Sequence, residues 1–206
     1  PGETVTLNAN ASGENDCSCC TREVSNTVNC GSGVVYGIYL NGGNGGSNWL
    51  HFNSIQYDEN LDQIVMSSRN LSEIYIIDHS TTTAEAASSS GGIYGQGGDF
   101  LYRWGNPATY KNGDDSDQKL FYPHDIQWID DFINPFDPNY GKIAVFNNRV
   151  GADFSTANVF DAGFDMYTWT YPLSSGSFGP NSFLETLTHP LDTMALHSTG
   201  LSSVQY

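Results

Sequence analysis

The sequence predicts an all-β protein in which short antiparallel strands group into the blades of an incomplete β-propeller. Three observations lead there. Charged residues are 15% of the 206, well under the roughly 25% of an average soluble domain, which leaves few charges for helix surfaces laced with salt bridges. Aromatic residues reach 13%, enough to build a core and too many for a disordered acidic tail. The third observation is a repeat. The segment His51-Phe-Asn-Ser-Ile-Gln-Tyr-Asp58 has a partner in His124-Asp-Ile-Gln-Trp-Ile-Asp130, and matching their Ile-Gln-aromatic triplets sets Ile126 71 residues after Ile55.

Each element follows from that repeat. In the first unit Asn53 to Asp58 alternates, residues 58–62 turn, Ile64 to Ser68 returns, and Glu73 to Asp78 adds a third strand carrying Ile74, Ile76 and Ile77. Ser80 to Ala87 has room for one helical turn before a Ser- and Gly-rich loop. Asp99 to Trp104 makes the fourth strand, closed by Gly105-Asn-Pro107. The second unit opens on residues 124–130 and continues with Lys142-Ile-Ala-Val-Phe-Asn-Asn-Arg149, the counterpart of Gln63-Ile-Val-Met-Ser-Ser-Arg69. Ser202-Ser-Val-Gln-Tyr206 reads as the opening strand of a third unit, with Val204 78 residues beyond Ile126. An unpaired strand leaves a row of donors and acceptors open, so the reading expects part of a longer repeat protein. Four antiparallel strands per unit is the arithmetic of a propeller blade. A β-sandwich also fits the turn spacing but does not account for the recurrence. On this reading residues 43–206 are blades and residues 1–42 form a separate Cys-bearing segment.

Seven Lys plus Arg against 23 Asp plus Glu give a formal charge of −16. That balance opposes nucleic acid or an anionic membrane surface as partner, since both need basic patches. No apolar run approaches the roughly 18 residues of a membrane span, so no insertion is expected. A Gly-rich phosphate loop, a Gly-x-Ser-x-Gly elbow and a His-Glu-x-x-His helix are all missing, and no cofactor is expected. Asp114-Asp-Ser-Asp117 lacks the Gly and distal Glu of a calcium loop and reads as a solvated turn, which leaves no expected metal site. Cys17, Cys19, Cys20 and Cys30 are an even set in a short segment, which fits two disulfides formed in an oxidising compartment. Zinc fits less well, because Cys-x-Cys-Cys lacks the two-residue spacer of a knuckle. Asn10 and Asn70 begin glycosylation-type triplets compatible with export. The expected location is secreted, periplasmic or at the cell surface.

Five segments in order carry a resemblance: Asn48-Trp-Leu-His-Phe-Asn-Ser-Ile55, Ser67-Ser-Arg-Asn70, Ile76-Ile-Asp-His-Ser-Thr81, Gly98-Asp-Phe-Leu-Tyr-Arg-Trp-Gly-Asn-Pro107 and His124-Asp-Ile-Gln-Trp128. Together, over roughly residues 43–160, they resemble the arylsulfotransferase family, exported bacterial β-propeller enzymes that use no nucleotide sulfate donor. The resemblance implies a phenolic sulfate ester as donor and a phenol as acceptor. It places the sulfuryl-carrying nucleophile on His124, with His51, Arg69 and Asn53 around the transferred group.

The chemistry asks for those residue types. A sulfate monoester is anionic, so positioning and charge stabilisation do most of the work, as in phosphoryl transfer. Neutral imidazole is an available nucleophile near pH 7 and splits one displacement into two through a covalent intermediate. A guanidinium offers a planar fork matched to tetrahedral oxyanions. His51 suits donation to a sulfate oxygen or to the leaving phenolate, and Asn53 suits a neutral donor. Asp125 follows His124 in sequence, which does not put the two on one face of a strand. Against a net charge of −16 the cations available for a local pocket are Arg69, Arg103 and Arg149, although Arg103-Trp-Gly-Asn-Pro107 reads first as a structural turn. His79 reads as a turn cap, and His189 and His197 as loop residues. The alternative to an enzyme is a non-catalytic extracellular module, a structural or fibre subunit whose open blade edges pair with neighbouring copies.

Overall fold

Short runs rich in Ile, Val and aromatic residues become strands wherever a turn residue breaks the chain on either side. The computed structural model describes residue 48 and residues 50–130, 134–150 and 154–206. The four cysteines and Asn10 lie outside them. Strands β1 (Phe52–Asp58), β2 (Gln63–Ser68), β3 (Glu73–Asp78) and β4 (Phe100–Trp104) form one sheet in the order β1-β2-β3-β4. Every neighbouring pair in it is antiparallel. The turn after β1 is set by Asp58, whose Oδ1 accepts from the N–H of Asn60 at 2.8 Å and Leu61 at 3.0 Å. A single helical turn, α1 (Thr83–Ala86), interrupts the path from β3 to β4 and is closed by a Thr82–Glu85 capping box. At the end of β4 the chain must turn hard. Gly105 has φ +121°, and a Cβ there would stand 2.6 Å from Ser72 O.

The second unit repeats the plan. Strands β5 (Pro123–Trp128), β6 (Ile143–Asn147) and β7 (Thr156–Phe160) are followed by a small hairpin, β8 (Leu173–Ser174) with β9 (Ser177–Phe178). Strand β10 (Glu185–Leu187) then completes a sheet ordered β10-β7-β6-β5. The molecule is therefore all-β, mostly antiparallel sheet with almost no helix, and the expected four-strand unit occurs twice. The described residues do not by themselves close into a ring.

The two sheets share one core. Val65, Ile76 and Tyr102 of the first pack with Ile126, Trp128, Ile143, Val145 and Phe160 of the second. Trp104 stacks on Phe160 across the boundary, with ring centroids 4.5 Å apart. Strands β1 and β5 are joined by side chains rather than a ladder. Ser54 Oγ accepts from Ile126 N at 2.9 Å, and Gln56 Oε1 accepts from Trp128 N. The third copy sits at the same kind of join: Val204 N donates to Asp125 Oδ2 at 2.7 Å, and Val204 O accepts from Gln127 Nε2 at 2.6 Å. Asp125 and Gln127 occupy the repeat positions of Ser54 and Gln56. The sequence predicts a strand over residues 202–206, but they form none. No ladder partner for them is present among the described residues, so their backbone bonds to the side chains of β5 instead.

Arg103 is the main departure from expectation. It does not line an anion pocket but lies 1% exposed inside the first sheet. Its Nε donates to Glu73 Oε1 at 2.8 Å and its Nη2 to Glu73 Oε2 at 2.9 Å. Register explains the pair. Arg103 lies opposite Tyr75, which puts Glu73 two residues along on the same face.

Candidate active site

The candidate site gathers where the chain enters the first strand of each unit. Two features aim side chains there. His51 and Tyr122, at equivalent repeat positions, both have left-handed backbones, with φ of 47° and 54°. The ladders beside them slip, between Phe52 and Ser54 in the first unit and between His124 and Gln127 in the second. Bulges and strained φ values of this kind re-aim side chains next to functional sites. Facing these entries, the ends of β2 and β6 deliver Arg69 and Arg149. Arg69 N donates to His51 O at 3.1 Å and Arg149 N to Phe121 O at 3.2 Å.

His124 is held on both sides. Its Nδ1 lies 3.0 Å from Tyr122 O, and the Leu201 N–H points at its Nε2 from 3.3 Å. A backbone N–H can only donate and a carbonyl can only accept. Those two partners alone suit the neutral tautomer with its proton on Nδ1 and a lone pair on Nε2. The Asn148 amide nitrogen, turned toward the same Nδ1 at 2.7 Å and Tyr122 O at 2.9 Å, donates to both and competes with a ring proton at Nδ1. His124 is 5% exposed, so this geometry is fixed by packing as well as by bonds. Asp125 turns away from it, toward Val204.

His51 is set the other way round. Its Nδ1 is 2.6 Å from the Asn48 amide nitrogen, which leaves the ring proton on Nε2 as a donor. The Arg69 guanidinium lies 4.6 Å from the centroid of the Tyr122 ring, and that of Arg149 lies 5.1 Å from the same ring. Asn53 serves the frame: its Nδ2 donates to Pro123 O at 2.8 Å, and its Oδ1 accepts from Ser67 Oγ at 2.6 Å. It thereby fixes the peptide that leads into His124, with one N–H left over. Asn70 is exposed and accepts from Arg69 Nη1 at 2.9 Å.

A family model, Arylsulfotransferase (ASST), matches residues 38–161. The chain belongs to the arylsulfotransferase family. No curated protein and no solved structure matches it. The arylsulfotransferase match covers the first unit and strands β5 to β7 of the second, and contains His51, Asn53, Arg69, His124 and Arg149. Family membership carries aryl sulfates and phenols as the general substrate class. In arylsulfotransferase terms the site offers an unprotonated ring nitrogen, a neutral imidazole N–H and two guanidinium groups without a carboxylate partner among the described residues. His79 stays outside it, bonded to Asp62 at 2.6 Å as a turn cap. His189 also lies away from it, accepting from Asp192 N at 3.2 Å. The Asp114–Asp117 turn is closed by its own side chains, and no cluster of metal-binding residues occurs among the described residues.

Two contributors have no place in the sequence reading. Tyr122 stands 71 residues after His51, so carrying the repeat alignment two residues upstream of His124 would have exposed it. Leu201 acts through its backbone N–H, and a main-chain donor has no signature in residue type.

Proposed function

We propose that the chain is a β-propeller portion of an exported, nucleotide-independent aryl-sulfate sulfotransferase that works through a sulfohistidine at His124. The observation that carries the reading is the His124 imidazole, its Nδ1 on Tyr122 O and its Nε2 facing the Leu201 N–H, with two guanidinium groups that have no carboxylate partner among the described residues gathered on the Tyr122 ring, in a chain of this family. In the first half-reaction His124 Nε2 attacks the sulfur of an aryl sulfate. The N–S bond forms, the S–O bond to the aryl oxygen breaks, and the aryl oxygen leaves as a phenolate that accepts a hydrogen bond from His51 Nε2–H. In the second, an acceptor phenolate held by the same N–H attacks the sulfur, and the N–S bond breaks to restore neutral His124. Arg69 holds the equatorial oxygens throughout. Nε2 has one lone pair, so the Leu201 N–H bond to it must open before attack. Its 3.3 Å length is at the weak end of the hydrogen-bond range.

The propeller part of the proposal rests on a difference between the units. Ile55 is 70% exposed while its repeat partner Ile126 is 2% exposed, buried by the first sheet. A preceding unit would cover Ile55 and Tyr57 in the same way. Disulfides among the four cysteines and export would accompany such a protein. Brief incubation with 4-nitrophenyl sulfate followed by intact-mass measurement tests the chemistry. A sulfuryl-sized, acid-labile adduct is expected on the wild-type chain and on its longer parent, and none on His124→Ala. A folded parent that never acquires the adduct removes the enzyme reading and leaves the module reading, for which a polymeric state in solution is the signature.

A further inference from the structure

We infer that Arg149 is a second substrate-contacting cation, closing with Arg69 on one and the same anionic group across Tyr122. The inference deepens the sulfuryl-transfer reading, from which it takes the identity of the anion. Its evidence is the disposition of charge. In a chain with 23 acidic residues, Arg103 is paired with Glu73 and Lys142 with Asp161. Arg69 and Arg149 have no carboxylate within ion-pair distance among the described residues, yet both guanidinium groups lie against one ring, 4.6 and 5.1 Å from its centroid. Two cations brought to one ring repel each other, and the ring face offsets that only in part. An anion between them resolves the conflict.

The repeat explains how two units supply one clamp. Arg69 ends the Ser-Ser-Arg run after β2, and Arg149 ends the Asn-Asn-Arg run after β6. Each comes from its own unit, and both lie against Tyr122, at the entry to β5. A sulfuryl group in transfer has three equatorial oxygens. One guanidinium fork engages two, and a second fork from the other side reaches the third. The neighbouring Asn148 already touches His124 Nδ1 and reaches Ser202 Oγ at 2.7 Å, so the segment bearing Arg149 is tied to the nucleophile.

Binding, read apart from turnover, tests this. Inorganic sulfate and 4-nitrophenyl sulfate are titrated into the wild-type chain and into Arg149→Gln, Arg149→Lys, Arg69→Gln and the double Gln variant, each first shown to unfold at the wild-type denaturant midpoint. Arg149→Gln is expected to weaken both ligands about tenfold, with Arg149→Lys recovering only part because it restores charge without the fork. If both arginines hold one anion, the double variant loses less than the product of the single losses. Unchanged affinity in Arg149→Gln overturns the inference, as does a wild-type chain that binds neither ligand. Strictly multiplicative losses overturn the shared clamp. A chain that loses sulfate on Arg149→Gln while never forming the His124 adduct upholds the anion site and removes the transfer reaction.

Discussion

Two regions of the molecule use the same materials in opposite proportions. Inside the first sheet a single guanidinium, Arg103, lies against two tyrosine rings, 5.9 Å from Tyr75 and 4.3 Å from Tyr110, with Glu73 bonded to it. At the candidate site two guanidinium groups lie against a single tyrosine, and no carboxylate among the described residues joins them. The first arrangement is complete. Burial opposes the charge on Arg103, the Glu73 carboxylate more than offsets it, and the guanidinium pKa is raised. Burial pushes the Tyr75 and Tyr110 hydroxyls up as well. The second has no such partner among the described residues. One holds a sheet together; the other is where the proposed anion would sit.

The largest effect comes from opening the closed arrangement. Glu73→Gln leaves the Arg103 charge buried without a counter-ion, and removing one partner of a buried pair costs about 3–5 kcal/mol. Urea denaturation should show a loss of that size, while the fraction that remains folded keeps wild-type affinity for sulfate. A loss under about 1 kcal/mol, within the range of exposed pairs, would mean that solvent reaches Arg103 and that the two regions are not opposites.

The converse change closes the open arrangement. Arg69 Nη1 already donates to Asn70 Oδ1 at 2.9 Å, so Asn70→Asp puts a carboxylate where a neutral acceptor stands. Arg69 then resembles Arg103, with an internal partner competing for its fork. Sulfate affinity should fall about tenfold, equivalent to about 1.4 kcal/mol. Stability should move by less than about 1 kcal/mol, because Asn70 is exposed and its Nδ2 bond to Asn48 O is the main loss. Unchanged affinity would show that the Arg69 charge is not what the anion meets.

The comparison also separates what was legible from what was not. All four strands of the first unit were readable to within one residue, because each is a short alternating run stopped by a turn former such as Asp58 or Gly105. Tyr122 was readable too, from the repeat. The pairing of Arg103 with Glu73 was not legible from either residue alone, since 30 positions separate them. Only the register of β3 on β4 brings them to one face. The grip of Leu201 on His124 was hidden for a different reason. It depends on where the 198–204 segment settles against β5, and the third repeat announces itself through Val204, three residues away. In the case of Arg149 the residue was visible in the sequence, whereas its convergence with Arg69 on one ring needed the packing of two units.

A third setting of charge gives the smallest effect. Glu85 is half-buried and has no cation beside it among the described residues; its carboxylate is met by the Thr82 N–H at 2.8 Å, the Thr82 hydroxyl at 2.7 Å and the Gly92 N–H at 3.3 Å. Those bonds, the Thr82 backbone first, hold its pKa below the ordinary glutamate value. A carboxylate depressed in the folded state contributes stability that is fully present above its unfolded pKa and is lost as pH falls through the folded one. Acidification below about pH 4.3 should therefore loosen the loop around α1, seen as titrating amide shifts of Thr82 and Gly92. Glu85→Gln should flatten both curves. If the shifts titrate unchanged in that variant, the acid response belongs to another carboxylate, with Asp78, which accepts from Tyr94 N in the same loop at 3.2 Å, the next to replace. The order of the three settings follows from water. Arg103 has none to fall back on, the Arg69–Arg149 pair would exchange it for a ligand in the proposed clamp, and half-buried Glu85 keeps access to it, so losing its bonds there costs the fold least.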